Sequence, residues 1–336
     1  MESRPARSND DEAYAASPAN DGTVGRTQVA QVHAAAQRPP GHRLLRRLTR
    51  SHHGTAPWAA LAPTVLVFIV CYYGSVVWTG YISLTRSSLL PNYRFAGLLQ
   101  YHRLFNALPW QTAFRNMFVF GGLDLLGTLG FGILLAIAID RNVRFESTFR
   151  TILLYPFALS LIVTGLAWQW ILDPTIGFQH FVRGLGFSGF MFDWITRPDR
   201  AIYTLVFAGI WHQSGFVMVI MLAGLRGVDQ EIWHAARVEG IPVWRTYVSI
   251  IIPMLRPLVV TCLVLIVVAV VKSYDLVIAM TGGGPGFSSD VPAKFVVDYE
   301  FERANIGEAS AAAMIMLISV IFMMGPYLYR ELGRKR

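Results

Sequence analysis

Six apolar segments reach or approach the length needed to cross a bilayer, and they limit what this chain can become more than any motif does. They cover residues 61–84, 117–139, 151–172, 202–225, 258–280 and 311–329. A helix needs about 20 apolar residues to cross roughly 30 Å of hydrocarbon. Inside that layer every backbone N–H and C=O must bond within its own segment. The pattern predicts an all-α membrane protein with six transmembrane helices. The fourth segment is the weakest, because Trp211-His-Gln-Ser-Gly215 interrupts it. Polar groups at that depth need a partner helix or a water-lined path.

Charge supports the same class. Only 15% of residues are charged, where a soluble domain carries about 25%. The formal net charge of +8 lies in a tail and in loops around apolar spans, so it points to the membrane surface and not to nucleic acid. Residues 1–57 hold almost no large apolar side chain before Leu44 and read as a disordered basic tail. The first apolar run begins too far in, and is too long, for a cleavable signal. Cys71 and Cys262 each sit inside an apolar run with no CxxC spacing, and read as small buried side chains. With six spans, nineteen of the 29 Lys and Arg fall on the side of the two termini and nine on the other. The excess places both termini in the cytoplasm.

The connection between spans four and five, residues 226–257, is too long for a simple turn and implies built structure. Asp229 suits an N-cap for a helix through Val238. Gly240 suits a turn with positive φ. Pro242 suits the first turn of a second helix running toward Pro253. This is a helix-turn-helix on the cytoplasmic face, with Ala235 and Ala236 leaving room for close approach. Tyr247, Ile250 and Ile251 would root the second helix. By spacing alone, an interfacial connector without a partner is an equal reading.

Here the sequence resembles the binding-protein-dependent ABC importer permeases. Their signature loop reads Glu-Ala-Ala, a Gly three residues on, then Ile-x-Leu-Pro. This chain has His234-Ala235-Ala236, Glu239-Gly240 and Ile250-Ile251-Ile252-Pro253. His234 stands where the family usually has Glu, so the resemblance implies docking by shape more than a charged contact there. It extends over most of residues 58–336, through Phe95-Ala-Gly-Leu98, Asn116, Tyr155-Pro156 and Leu166-Ala-Trp-Gln-Trp170. Thr281-Gly-Gly-Gly-Pro-Gly286 is similar to a segment frequent in the carbohydrate branch.

The resemblance implies a permease subunit forming half of a translocation pathway for a sugar or oligosaccharide. It implies an extracytoplasmic solute-binding protein, a second homologous permease and a cytoplasmic ATPase dimer. The ATPase would dock through His234, Ala235, Ala236, Glu239, Gly240, Ile252 and Pro253. No GxxxxGK[ST], HExxH or GxSxG occurs in the chain, so no catalytic residue, metal or cofactor is expected. The glycine run at 282–284 reads as a flexible external turn.

Candidate pathway residues are the polar groups within spans: Asp124, Trp211, Gln213, Lys272, Tyr274 and Asp275, with His212 beside them. Lys272 and Asp275 are three apart on one predicted helix face and positioned to pair, either as a packing device or as a polar wall near Tyr274. Two other classes share these features: an ion-coupled secondary transporter using Asp124, Lys272 or Asp275, and a membrane scaffold with no solute path.

Overall fold

The computed structural model describes residues 56–90, 92–140 and 144–333; the predicted tail falls outside them up to residue 55. The chain divides into two units, 1–69 and 70–336. In the first, helix α1 (Ala56–Phe68) is apolar on all sides, with Leu66 and Val67 more than half exposed. The 61–83 stretch is helical and apolar enough to cross a bilayer.

A π turn, Ile69–Tyr73, falls at the boundary, and the second unit continues as α2 (Gly74–Ser83), α3 (Leu99–Asn106) and α4 (Leu108–Asp140). Next come α5 (Glu146–Ala158), α6 (Leu161–Leu172), the short α7 (Phe178–Gly184) and α8 (Ala201–Arg226). The 226–257 connection holds α9 (Gln230–Val238), α10 (Val243–Thr246), a π turn Tyr247–Ile251 and one turn at Ile252–Met254. Then follow α11 (Arg256–Val271), α12 (Tyr274–Met280), α13 (Pro292–Val297) and the long α14 (Ile306–Gly333). Among the described residues the only β pairing is the isolated bridge Thr85–Phe95.

The core runs along α4 and α8, whose facing side chains Phe120, Ala136, Leu205, Met218 and Met221 are buried. Small residues permit the approach, as is usual where lipid supplies no hydrophobic drive between helices. A Cβ on Gly132 would lie 2.6 Å from Val217 Cγ1. A second core joins α3, the start of α4, α13 and the start of α14 around Trp110, Phe295, Tyr299 and Ala312. The Trp110 and Phe295 rings meet edge to face at 5.2 Å. Outward, Leu126, Leu134 and Phe322 are exposed. In water such a surface would drive aggregation; in a bilayer it is solvated.

Among the described residues four helical stretches are long and apolar enough to cross a membrane alone, and six if each of two bent pairs counts as one span. The α5–α6 pair bends by 99°. Ser160 sits there in extended conformation and starts α6 afresh, its side chain accepting from the Ile162 N–H at 3.3 Å. The segments flanking Leu255 bend by 75°, between Pro253 and Pro257. A further break falls at Lys272–Ser273, within the predicted fifth span.

Candidate functional site

The 226–257 connection forms as its local signals indicate. The Asp229 carboxylate accepts from the Glu231 N–H at 3.1 Å and caps α9. At the other end Gly240 takes φ +70°. Its N–H donates to Arg237 O at 3.1 Å, and the Ile241 N–H donates to Ala236 O at 3.0 Å. These two bonds are a Schellman motif, which fixes where the chain leaves α9. Ala236 is buried against the bundle; His234, Ala235 and Glu239 are exposed on the outer side. His234 Nδ1 accepts from Arg237 Nη2 at 3.2 Å. Ile252 and Pro253 are half-buried where the segment turns into α11.

Behind α9 lies a cleft of about 660 Å³ lined by Asp140, Glu146, Arg226, Trp233, Ala236 and Tyr247, among others. The Trp233 and Tyr247 rings meet edge to face at 5.1 Å. Tyr247 OH donates to Asp140 Oδ2 at 3.0 Å. Glu146 pairs with Arg226 at 2.7 Å and with Arg150 at 2.9 Å. Tyr247 and Ile251 are buried and Ile250 is half-buried against the core, so the expected rooting of this segment is present. Asp140 and Glu146 escape sequence reasoning, because each looks like an ordinary charged residue at a helix end.

The polar residues of the spans separate into two groups. Asp124 is fully buried on α4, and Gln213 Nε2 on α8 donates to its Oδ2 at 3.4 Å. Asp124 Oδ1 has no hydrogen-bond partner among the described residues. Beside them His212 Nδ1 and Thr164 Oγ1 are 3.3 Å apart. A cavity of about 180 Å³ is lined by Phe120, Phe157, His212, Gln213, Ser273 and Leu276, among others. Ser273 Oγ is buried and likewise lacks a partner. Sequence reasoning missed Ser273, whose only signal is a small polar residue within an apolar run.

The other candidates lie apart from this pair. Trp211 is packed edge to face on Trp168 at 5.6 Å. Tyr274 is half-buried. The expected Lys272–Asp275 pairing is not formed: both are exposed and no ion pair joins them. The physical reason is the helix break. Lys272 ends α11 and Asp275 opens α12, so they do not share one helical face.

The glycine run differs from expectation too. It is pinned, not loose. Asn116 Nδ2 donates to Ser288 O at 2.8 Å and to Asp290 O at 2.9 Å. Ser289 Oγ donates to Gly284 O at 2.7 Å. Lys294 lies 3.4 Å from Asp290 Oδ1 and closer still to Asp298, with all three side chains largely buried. Burial pushes Asp290 up to about 6, against the pull of Lys294. Burial also opposes the charge on Lys294, yet Asp298 and Asp290 outweigh it and hold its pKa above the ordinary value. Removing the cation strands two buried carboxylates. Lys294→Met is therefore expected to cost about 3–5 kcal/mol, read as a lower thermal midpoint of the purified protein. An unchanged midpoint would show that the triad carries no stability.

Residues 128–335 match the family described as "Binding-protein-dependent transport system inner membrane component". The chain belongs to this family. A probable ABC transporter permease of Pyrococcus horikoshii, PH1215, is 37% identical over 271 residues, covering 80% of this chain and 93% of the relative. The xylose/arabinose import permease XacH of Haloferax volcanii is 33% identical over 288 residues, covering 82% and 87%. In structure, the inner-membrane component resembles a chain of a bacterial ABC transporter involved in alginate import. The TM-score is 0.71 at 20% identity, over 86% of this chain and 99% of that one. The fold is thus that of an importer permease. Of the readings left open by the sequence, the permease subunit of a binding-protein-dependent importer stands, and the secondary transporter and the scaffold do not.

Proposed function

We propose that this permease forms half of a path for a sugar or oligosaccharide, and that the 226–257 connection couples the path to a separate ATPase dimer. A second homologous permease completes the path, and an extracytoplasmic binding protein delivers the solute. Both termini and the 226–257 connection lie in the cytoplasm. The tail is a basic segment, 1–57, and 58–336 is the transmembrane domain. The observation that carries the coupling role is α9 itself. It is a capped helix with its Ala236 side buried and His234, Ala235 and Glu239 outward, ended by a Schellman turn at Gly240. Such an element moves as one piece. Differential contact with two ATPase states would then shift the spans between inward- and outward-facing arrangements. Ile252 and Pro253 carry the motion into α11.

The names of the relatives support the solute class: one is a xylose/arabinose permease and another a trehalose/maltose permease of Thermococcus litoralis. In the path, Asp124 and Gln213 with His212 offer hydrogen bonds beside Phe120 and Phe157, a mixture suited to polyols. Trp211, Lys272, Tyr274 and Asp275 would serve only at a surface shared with the second permease.

Cross-linking tests the coupling role. Ala235→Cys, in the complete importer, is expected to form a cross-link to the ATPase subunit that depends on nucleotide. Absence of any cross-link to that subunit, with the complex intact, would sink the assignment.

A further inference from the structure

We infer that the hydrogen bond from Tyr247 to Asp140 is the positioning contact that carries motion of the coupling helix α9 into α4. The inference rests on the coupling role proposed above and names the side chains that transmit it.

Two of the polar links between the described residues tie the 226–257 connection and its borders to other helices. One is the ion pair of Arg226 with Glu146, joining the end of α8 to the start of α5. Its side chains are 42% and 26% exposed, and an exposed pair of this kind is screened and weak. The other begins at Trp233 on α9, passes through its edge-to-face contact with Tyr247, and ends in the 3.0 Å bond to Asp140 Oδ2. Tyr247 is 5% exposed. A buried hydroxyl donating to a carboxylate is among the stronger neutral-to-ion hydrogen bonds and is directional.

The receiving end is well placed. Asp140 is the last residue of α4, which runs unbroken for 33 residues. Asp124, whose partner Gln213 is on α8, lies on this helix, roughly 24 Å from Asp140 at 1.5 Å per residue. Tyr247 is also the first residue of the π turn Tyr247–Ile251. Tyr247 and Ile251, four residues apart, share the inward face and are both buried, and π turns recur at functional sites. Side chains on α9 thus grip the connection, and the connection grips the end of the longest rigid helix.

Hydrogen exchange on the complete importer tests this, with ATP and vanadate as the trapping probe. In the unaltered assembly, trapping is expected to change exchange in both α9 and the C-terminal half of α4. In Tyr247→Phe and in Asp140→Ala the change in α9 should persist, while that in α4 falls by about tenfold, the scale of one such bond. The double variant should lose no more than either single one, and Asp140→Glu should restore the response. An α4 response of full size in Tyr247→Phe overturns the relay while leaving the coupling role intact. No response of α9 in the unaltered assembly overturns the coupling role and the relay together.

Discussion

Gly240→Pro is expected to abolish uptake, by more than about a hundredfold, while the protein still inserts in the membrane. Gly240 sits at φ +70°, whereas proline is locked near −65°. Proline also removes the N–H that donates to Arg237 O. The Schellman turn then cannot form, at a local cost of about 3 kcal/mol. That cost falls on the angle between α9 and the segment that holds Tyr247, not on the packing of the spans. A second substitution separates strain from crowding. A Cβ at Gly240 would have nothing within 4 Å, so Gly240→Ala meets only the left-handed backbone penalty of about 1–2 kcal/mol and should keep measurable transport. The measurement is solute uptake per unit of inserted protein. Normal uptake by the proline variant would contradict the coupling role.

The second large effect lies in the bundle. Gly215→Val is expected to destabilise the protein by at least about 3 kcal/mol and to deplete it from the membrane. A Cβ there would stand 1.9 Å from Leu153 O and 3.1 Å from Leu154 Cα. Both are backbone atoms of α5, which cannot rotate aside as a flexible side chain would. The α5 and α8 helices must separate, and their separation opens the wall holding Phe157 and His212. Gly122→Val on α4 is the control: it is exposed, with nothing within 4 Å of its Cβ. Its expected effect is within about 0.5 kcal/mol. Thermal unfolding in detergent, followed beside membrane abundance, reads both variants. A stable, abundant Gly215→Val protein would mean that α5 and α8 do not pack in this way.

How much of the site could be read in advance depends on the range of each interaction. Asp229, Gly240 and the inward Tyr247 and Ile251 were legible, because caps, turns and amphipathic spacing are local. The Lys272–Asp275 pairing was local as well, but it assumed a continuous helix, and α11 ends at Val271. The glycine run at 282–284 looked loose because Ser289, which binds Gly284 O, lies in a turn whose Ser288 and Asp290 carbonyls are held by Asn116, more than 170 residues distant from them in the chain.

The amino-acid sequence by itself determined the class of the molecule and the form of the 226–257 connection. Apolar length dictates spanning helices, and the capping and turn residues act on neighbours a few positions away. Tertiary structure alone decided which polar groups meet. Asp124 finds Gln213, Asp140 finds Tyr247, and Lys272 finds no acid among the described residues. Nearly uniform apolar surfaces carry no periodic signal of which face turns inward, so only the close packing of one helix on another could settle those partners.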